Sequence, residues 1–167
     1  MKEILKAVLI LLVVILGCPA LPALGGEEPQ SAPEDNLIVP GERIGPLKLG
    51  SKPEQIEALL GKPTTVTQNP VKKKLQWEYG KNSDFFIQFD KSGADMIFTT
   101  MDVYSTKDGI RSGTDFRVVM AQFGSDYKFQ NFTQQEMRYI AFEKDGIGFL
   151  VQKDTIKSIF IFPVKRK

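Results

Sequence analysis

Few residues in this chain are of the types that do chemistry. There is no histidine, and the one cysteine is Cys18. The commonest general base and the commonest transition-metal ligand are therefore missing. Beyond Cys18 there is no thiol nucleophile, disulfide or thiolate metal site. Ser, Lys and Asp residues are scattered, and although a Ser–Lys pair can work without histidine, no Gly-x-Ser-x-Gly motif occurs. Asp90-x-Ser92-Gly93-x-Asp95 has the start of a calcium loop but lacks the later acidic residue that would bind the ion in bidentate fashion. It reads as a hairpin turn. Lys72-Lys73-Lys74 and the tail Lys165-Arg166-Lys167 read as a polar turn and a terminus, and Asn131-x-Thr133 as an incidental glycosylation sequon. The expectation is a protein that is not an enzyme, with no catalytic, cofactor or metal residues.

The cysteine has a different use. Lys2 and Lys6 precede an uninterrupted apolar run, Ala7 to Leu16. About twenty apolar residues are needed to span a bilayer, so the run suits a signal peptide rather than an anchor. Ile15-Leu16-Gly17-Cys18 resembles a bacterial lipobox, which would make residues 1–17 the signal and Cys18 the lipidated first residue. The competing reading is cleavage after Ala23-Leu24-Gly25, with the signal extending to residue 25. The first reading predicts a lipoprotein held at a membrane of the cell envelope; the second predicts a soluble periplasmic or secreted protein. Residues 26–40 mix Pro, Ser and acidic residues without periodicity, so a flexible tether is expected over residues 18–36. The formal charge of the chain is +2, which gives no footprint for nucleic acid.

The remainder repeats itself. Leu47-x-x-Gly50-Ser51 leads into a helical stretch ending at Gly61, and Ile110-x-x-Gly113-Thr114 into one ending at Gly124; both glycine intervals are eleven positions. Ser51 with Glu54 suggests a capping box and Pro53 a first turn. Ile56, Leu59 and Leu60 share one predicted face. Thr114 is the expected second N-cap, and Phe116, Val119, Met120 and Phe123 follow helical spacing. Period-two alternation then marks strands through Trp77/Tyr79, Phe85/Ile87/Phe89, Ala94/Ile97/Thr99/Met101/Val103, Ile140/Phe142, Ile147/Phe149/Val151 and Ile156/Ile159/Ile161. The expected fold is α+β: two tandem repeats, residues 37–103 and 104–167, each a helix plus an antiparallel meander. They would share one long sheet with both helices on one face.

The pattern Gly45-x-Leu47-x-Leu49-Gly50, a capped helix, Leu60-Gly61-Lys62-Pro63 and Trp77-x-Tyr79 resembles the β-lactamase-inhibitor-protein-like superfamily. It is more distantly similar to the SmpA/OmlA-type outer-membrane lipoproteins. The resemblance covers about residues 37 to 163 and departs at Ser112 and Ser125 in the second copy. It implies fold and class, a non-catalytic protein-binding module, and transfers no functional residue.

Phe85 and Phe86 are neighbours, so on a strand their rings point to opposite faces. An aromatic residue on the face away from the helices would suit a protein partner. The candidate partner-binding residues are Phe86, Trp77, Gln88 and Leu150, with Gln76, Glu78 and Gln152 beside them. The expected partner is another envelope protein. The alternative is a periplasmic domain that takes a small molecule or lipid between sheet and helices.

Overall fold

Period-two alternation dominates the computed structural model, which describes residues 35–69, 73–132 and 136–164. In chain order the elements begin with β1 (Leu37–Val39), β2 (Arg43–Ile44), β3 (Leu47–Lys48) and α1 (Pro53–Leu60). β4 (Thr65–Gln68), β5 (Leu75–Tyr79), β6 (Phe85–Asp90), β7 (Gly93–Thr99) and β8 (Ser105–Thr106) follow. The second half holds α2 (Phe116–Phe123), β9 (Lys128–Phe132), β10 (Met137–Phe142), β11 (Ile147–Gln152) and β12 (Thr155–Ile161).

The expected α+β class is wrong. Among the described residues strand makes up 45% and helix 13%, with two helices and with two sheets of four and eight strands. The fold is mostly β. The expectation failed because it gave each half one helix and one meander and found no second sheet. The small sheet, ordered β3-β2-β1-β8, is made of strands two or three residues long. These are too short for period two to register. Its β1–β8 pair is parallel, which brings Leu37 opposite Ser105 across some 68 residues of chain. β1 also lies inside the stretch, residues 26–40, that lacks periodicity in the sequence.

The large sheet has the order β4-β5-β6-β7-β12-β11-β10-β9, antiparallel throughout. Its central seam pairs Ile97 with Ile161, Phe98 with Phe160 and Thr99 with Ile159. One face is the core. Trp77, Ile87, Ile97, Phe142, Phe149 and Ile159 are buried there in one cluster with Ile56 of α1 and Phe116 and Val119 of α2. Phe123 of α2 lies 5.2 Å from Phe142 and 6.0 Å from Phe149, ring centre to ring centre. Leu59, expected inward with Ile56 and Leu60, is 50% exposed.

What recurs between the halves is local. Gly50 donates to the Ala94 carbonyl at 2.8 Å, and the Ser51 carbonyl accepts from Ala94 at 2.8 Å. Gly113 donates to the Ile156 carbonyl at 2.8 Å, and the Thr114 carbonyl accepts from Ile156 at 2.9 Å. Each Gly-hydroxyl pair thus clips its helix start onto a strand of the large sheet. Because Ser51 and Thr114 serve as these clips, the N-caps fall one residue later than expected. At α1 the cap is Lys52, whose N–H donates to Gln55 Oε1 at 2.8 Å. At α2 it is Asp115, whose Oδ1 accepts from the Arg117 N–H at 2.8 Å. Hydrogen bonds from the Arg117 side chain and then its backbone N–H, with a smaller part from the guanidinium charge, hold the Asp115 carboxyl down at about 2.

Both helices end on a glycine with matching backbone, Gly61 at φ 76, ψ −164 and Gly124 at φ 78, ψ −158. Each N–H donates four residues back, to Glu57 and Met120. The conformation is not the expected left-handed helical one; it lies in a region that only glycine enters readily.

Candidate functional site

The face of the large sheet opposite the helices is unusual for carrying large apolar residues across its centre. On each strand they come from the positions between core residues. Phe86 sits between Phe85 and Ile87, Phe98 between Ile97 and Thr99, and Phe160 between Ile159 and Ile161. Register lines them up: Phe86 is opposite Phe98, which is opposite Phe160. Phe160 is then opposite Gly148, and Gly148 opposite Ala141. A Cβ on Gly148 would lie 2.1 Å from the Phe160 ring, so glycine is what lets that ring lie down over β11. It reaches Tyr139 on β10, stacking at 4.7 Å and 16°. Phe86 meets Phe98 edge-on at 6.3 Å.

Together Phe86, Met96, Phe98, Tyr139, Leu150 and Phe160, with Ser83 at one end, line a groove of about 280 Å³. Phe160 is 1% exposed and forms its floor, while Phe86, Met96, Phe98, Tyr139 and Leu150 are half-buried. Burial, and then the nearby Glu143, pushes the Tyr139 hydroxyl above the usual phenol range, so that ring stays neutral. The groove can bury apolar groups; its lining offers neither a base nor a charged nucleophile.

A polar shoulder lies alongside. Gln88 is 6% exposed, donates to Asp95 Oδ1 at 3.2 Å and accepts from Gln76 at 3.4 Å. Asp95 is ion-paired with Lys74. These bonds fix the Gln88 amide, so it supports the sheet beside the groove.

Of the four candidates named from sequence, Phe86 and Leu150 line the groove and Gln88 lies on its shoulder. Trp77 is a correction: it is 8% exposed and packed in the core against Tyr79 and Phe89. Its parity with Tyr79 and Ile87 already assigns it to the buried face. Gln76 and Glu78 share the groove's face with Phe86 by register, and Gln152 shares it with Leu150. Cys18, Lys72 and the tail Lys165-Arg166-Lys167 lie outside the described residues, as does Thr133 of the sequon.

Sequence reasoning missed Met96, Phe98, Tyr139 and Phe160. The available signal was Ile159-Phe160-Ile161 and Met96-Ile97-Phe98, apolar runs on strands that otherwise alternate. An apolar residue at both parities marks a strand covered, or meant to be covered, on both faces. Sequence reasoning also missed Ser125-x-x-Lys128, a nucleophile–base spacing. Lys128 is ion-paired with Glu143 at 2.7 Å, and Ser125 is exposed outside the groove. Asp90 accepts from the backbone N–H of Ser92 at 2.7 Å and makes the turn between β6 and β7. No group of three or more candidate metal ligands occurs among the described residues.

No known family pattern matches the chain, and no curated protein is similar to it in sequence. Some solved structures are similar to it. It is similar to a DUF4309 family protein, YjgB, from Bacillus subtilis, at 10% identity and TM-score 0.52, over 74% of this chain and 88% of that one. It is also similar to the uncharacterized protein yfeY from Escherichia coli, at 11% identity and TM-score 0.48, over 77% and 94%. An extracellular protein containing a SCP domain from Bacillus anthracis matches at 8% identity and TM-score 0.49. There the match covers 69% of this chain and only 44% of that longer protein. At 10% identity the likeness to YjgB is one of fold alone. None of these proteins is named as β-lactamase-inhibitor-like. No helix among the described residues is long and apolar enough to cross a membrane.

Proposed function

We propose that this chain is an exported envelope protein, tethered through Cys18, that binds another envelope protein without catalysis through the groove face of its large sheet. The observation that carries the reading is the apolar groove lined by Phe86, Met96, Phe98, Tyr139, Leu150 and Phe160, on the side of the sheet away from both described helices. A few aromatic anchors in a shallow recess, with fixed amides at the rim, is the composition of a protein-binding hot spot. Export is supported by the charged start and the apolar run Ala7 to Leu16, and tethering by a sole cysteine directly after that run. The resemblance to the β-lactamase-inhibitor-protein-like superfamily supports the same class through its Gly45 to Tyr79 pattern.

The alternative, a small-molecule or lipid domain with its pocket between sheet and helices, has less support. That interior is filled by Ile56, Val119, Phe142 and Phe149, each at 1% exposure or less. The groove lies on the other face, and about 280 Å³ is just below the ordinary range for ligand pockets.

Phe86→Ala tests the choice of face. It should weaken capture of the partner by roughly 2 kcal/mol or more. Because Phe86 is half-buried and meets Phe98 only edge-on, unfolding should lose at most about 1 kcal/mol. A large stability loss with unaltered capture would make Phe86 a core residue and remove the groove from the account.

A further inference from the structure

The large sheet has two edges, and they differ. β4, at one edge, is Thr-Val-Thr-Gln, four residues long. β9, at the other, is Lys-Phe-Gln-Asn-Phe; all five residues are exposed, Phe129 to 64% and Phe132 to 37%. β9 pairs with β10 at five consecutive positions without a bulge, and no described strand lies on its outer side. It contains no proline, no glycine and one charge, Lys128. Lys128 apart, such an edge lacks the usual devices that protect a sheet from accepting another strand.

We propose that β9 pairs with β9 of a second copy of this chain, in antiparallel fashion about a two-fold axis through Gln130, to give a continuous sixteen-stranded sheet. The self-complementarity of the strand argues for a second copy. A two-fold axis normal to the sheet keeps each face on its own side, so only residues of equal parity can stand opposite one another. Centring on Gln130 uses all five residues. It sets Lys128 opposite Phe132 of the partner subunit, Phe129 opposite Asn131 of the partner subunit, and Gln130 opposite itself. No like charges meet, and Lys128 gains an aromatic face. Phe129 and the partner's Phe129 become diagonal neighbours on the helix side of the sheet, within aromatic reach. A five-residue edge buries less than a standard interface, so the dimer is a weak, concentration-dependent one. Its consequence is geometric: both grooves open on the same face, so the pair is bivalent. The surface is separate from the groove, and the inference stands or falls without it.

Sedimentation equilibrium of the exported chain in detergent tests it. The expected result is a monomer–dimer equilibrium that Phe132→Lys weakens about ten-fold, by setting like charges opposite at two symmetry-related places. Phe132→Glu, which sets a carboxylate opposite Lys128 of the partner subunit at the same two places, should instead keep or strengthen the dimer. Phe132 is exposed, and far-UV circular dichroism confirms that each variant is folded. Independently of any substitution, hydrogen exchange at residues 128–132 should slow as wild-type concentration rises. A monomer at all concentrations overturns the proposal. So does a dimer indifferent to Phe132→Lys, or a monomer whose β9 edge is taken by a strand from another protein.

Discussion

Phe85 and Phe86 are one peptide bond apart and belong to different parts of the molecule. Phe85 is 6% exposed in the core, edge-on to Tyr104, while Phe86 lines the groove. That split was legible, because adjacent residues on a strand cannot share a face. Trp77 shows the same rule ignored: being large and aromatic made it look like an anchor, but its parity placed it inside. Residue chemistry alone is therefore a poor guide here, and parity a good one. Tyr79 shows what parity leaves out. Its ring belongs to the core at 7% exposure, yet its hydroxyl is buried with no hydrogen-bond partner among the described residues. Burial, and then the charge of Glu57, pushes its pKa up. A buried hydroxyl without a partner carries a desolvation cost that no bond offsets. Tyr79→Phe should accordingly leave stability unchanged or raise it by about 1 kcal/mol, read from the urea midpoint. A loss of that size would mean that the hydroxyl is bonded.

At the scale of elements, the long strands and both helix stops were legible, and the short strands were not. Gly61 and Gly124 stood out by their equal spacing and take the same conformation to within a few degrees. A Cβ at either would meet no atom within 4 Å, so the need for glycine comes from the backbone and not from crowding. Gly61→Val and Gly124→Val should therefore each lower stability by about 1–3 kcal/mol, and by similar amounts. Thermal unfolding of the two variants compares them directly; a loss at one site with none at the other would break the equivalence. The N-caps were misjudged by one residue, because Ser51 and Thr114 use their backbones to hold Ala94 and Ile156. No local pattern announces such a bond. The small sheet was illegible for the same reason, since β1 meets β8 only through the tertiary fold.

At the scale of the molecule, the large sheet works with its two faces differently. One is sealed by the helices; the other keeps an aromatic row whose members are opposite each other across β6, β7 and β12. The sequence could supply Phe86 and Leu150 but not the row, because lining up Phe98 with Phe160 requires the β7–β12 seam, which joins distant parts of the chain. For the proposed tether, Cys18→Ala should move the protein from the membrane fraction to the soluble exported fraction. A wild-type mature N-terminus near Gly26 carrying no lipid would contradict the tether and leave the groove untouched.

The central claim, that the groove face meets a protein partner, is tested most directly by site-specific photo-crosslinking in the intact envelope. The photoreactive residue replaces Phe86 or Leu150 in the groove and, as controls, Leu59 or Val118 on the exposed backs of α1 and α2. The account predicts one discrete protein adduct from both groove positions and none from either helix position. Adducts arising from Leu59 or Val118 instead, with the groove positions giving only lipid or nothing, would contradict it.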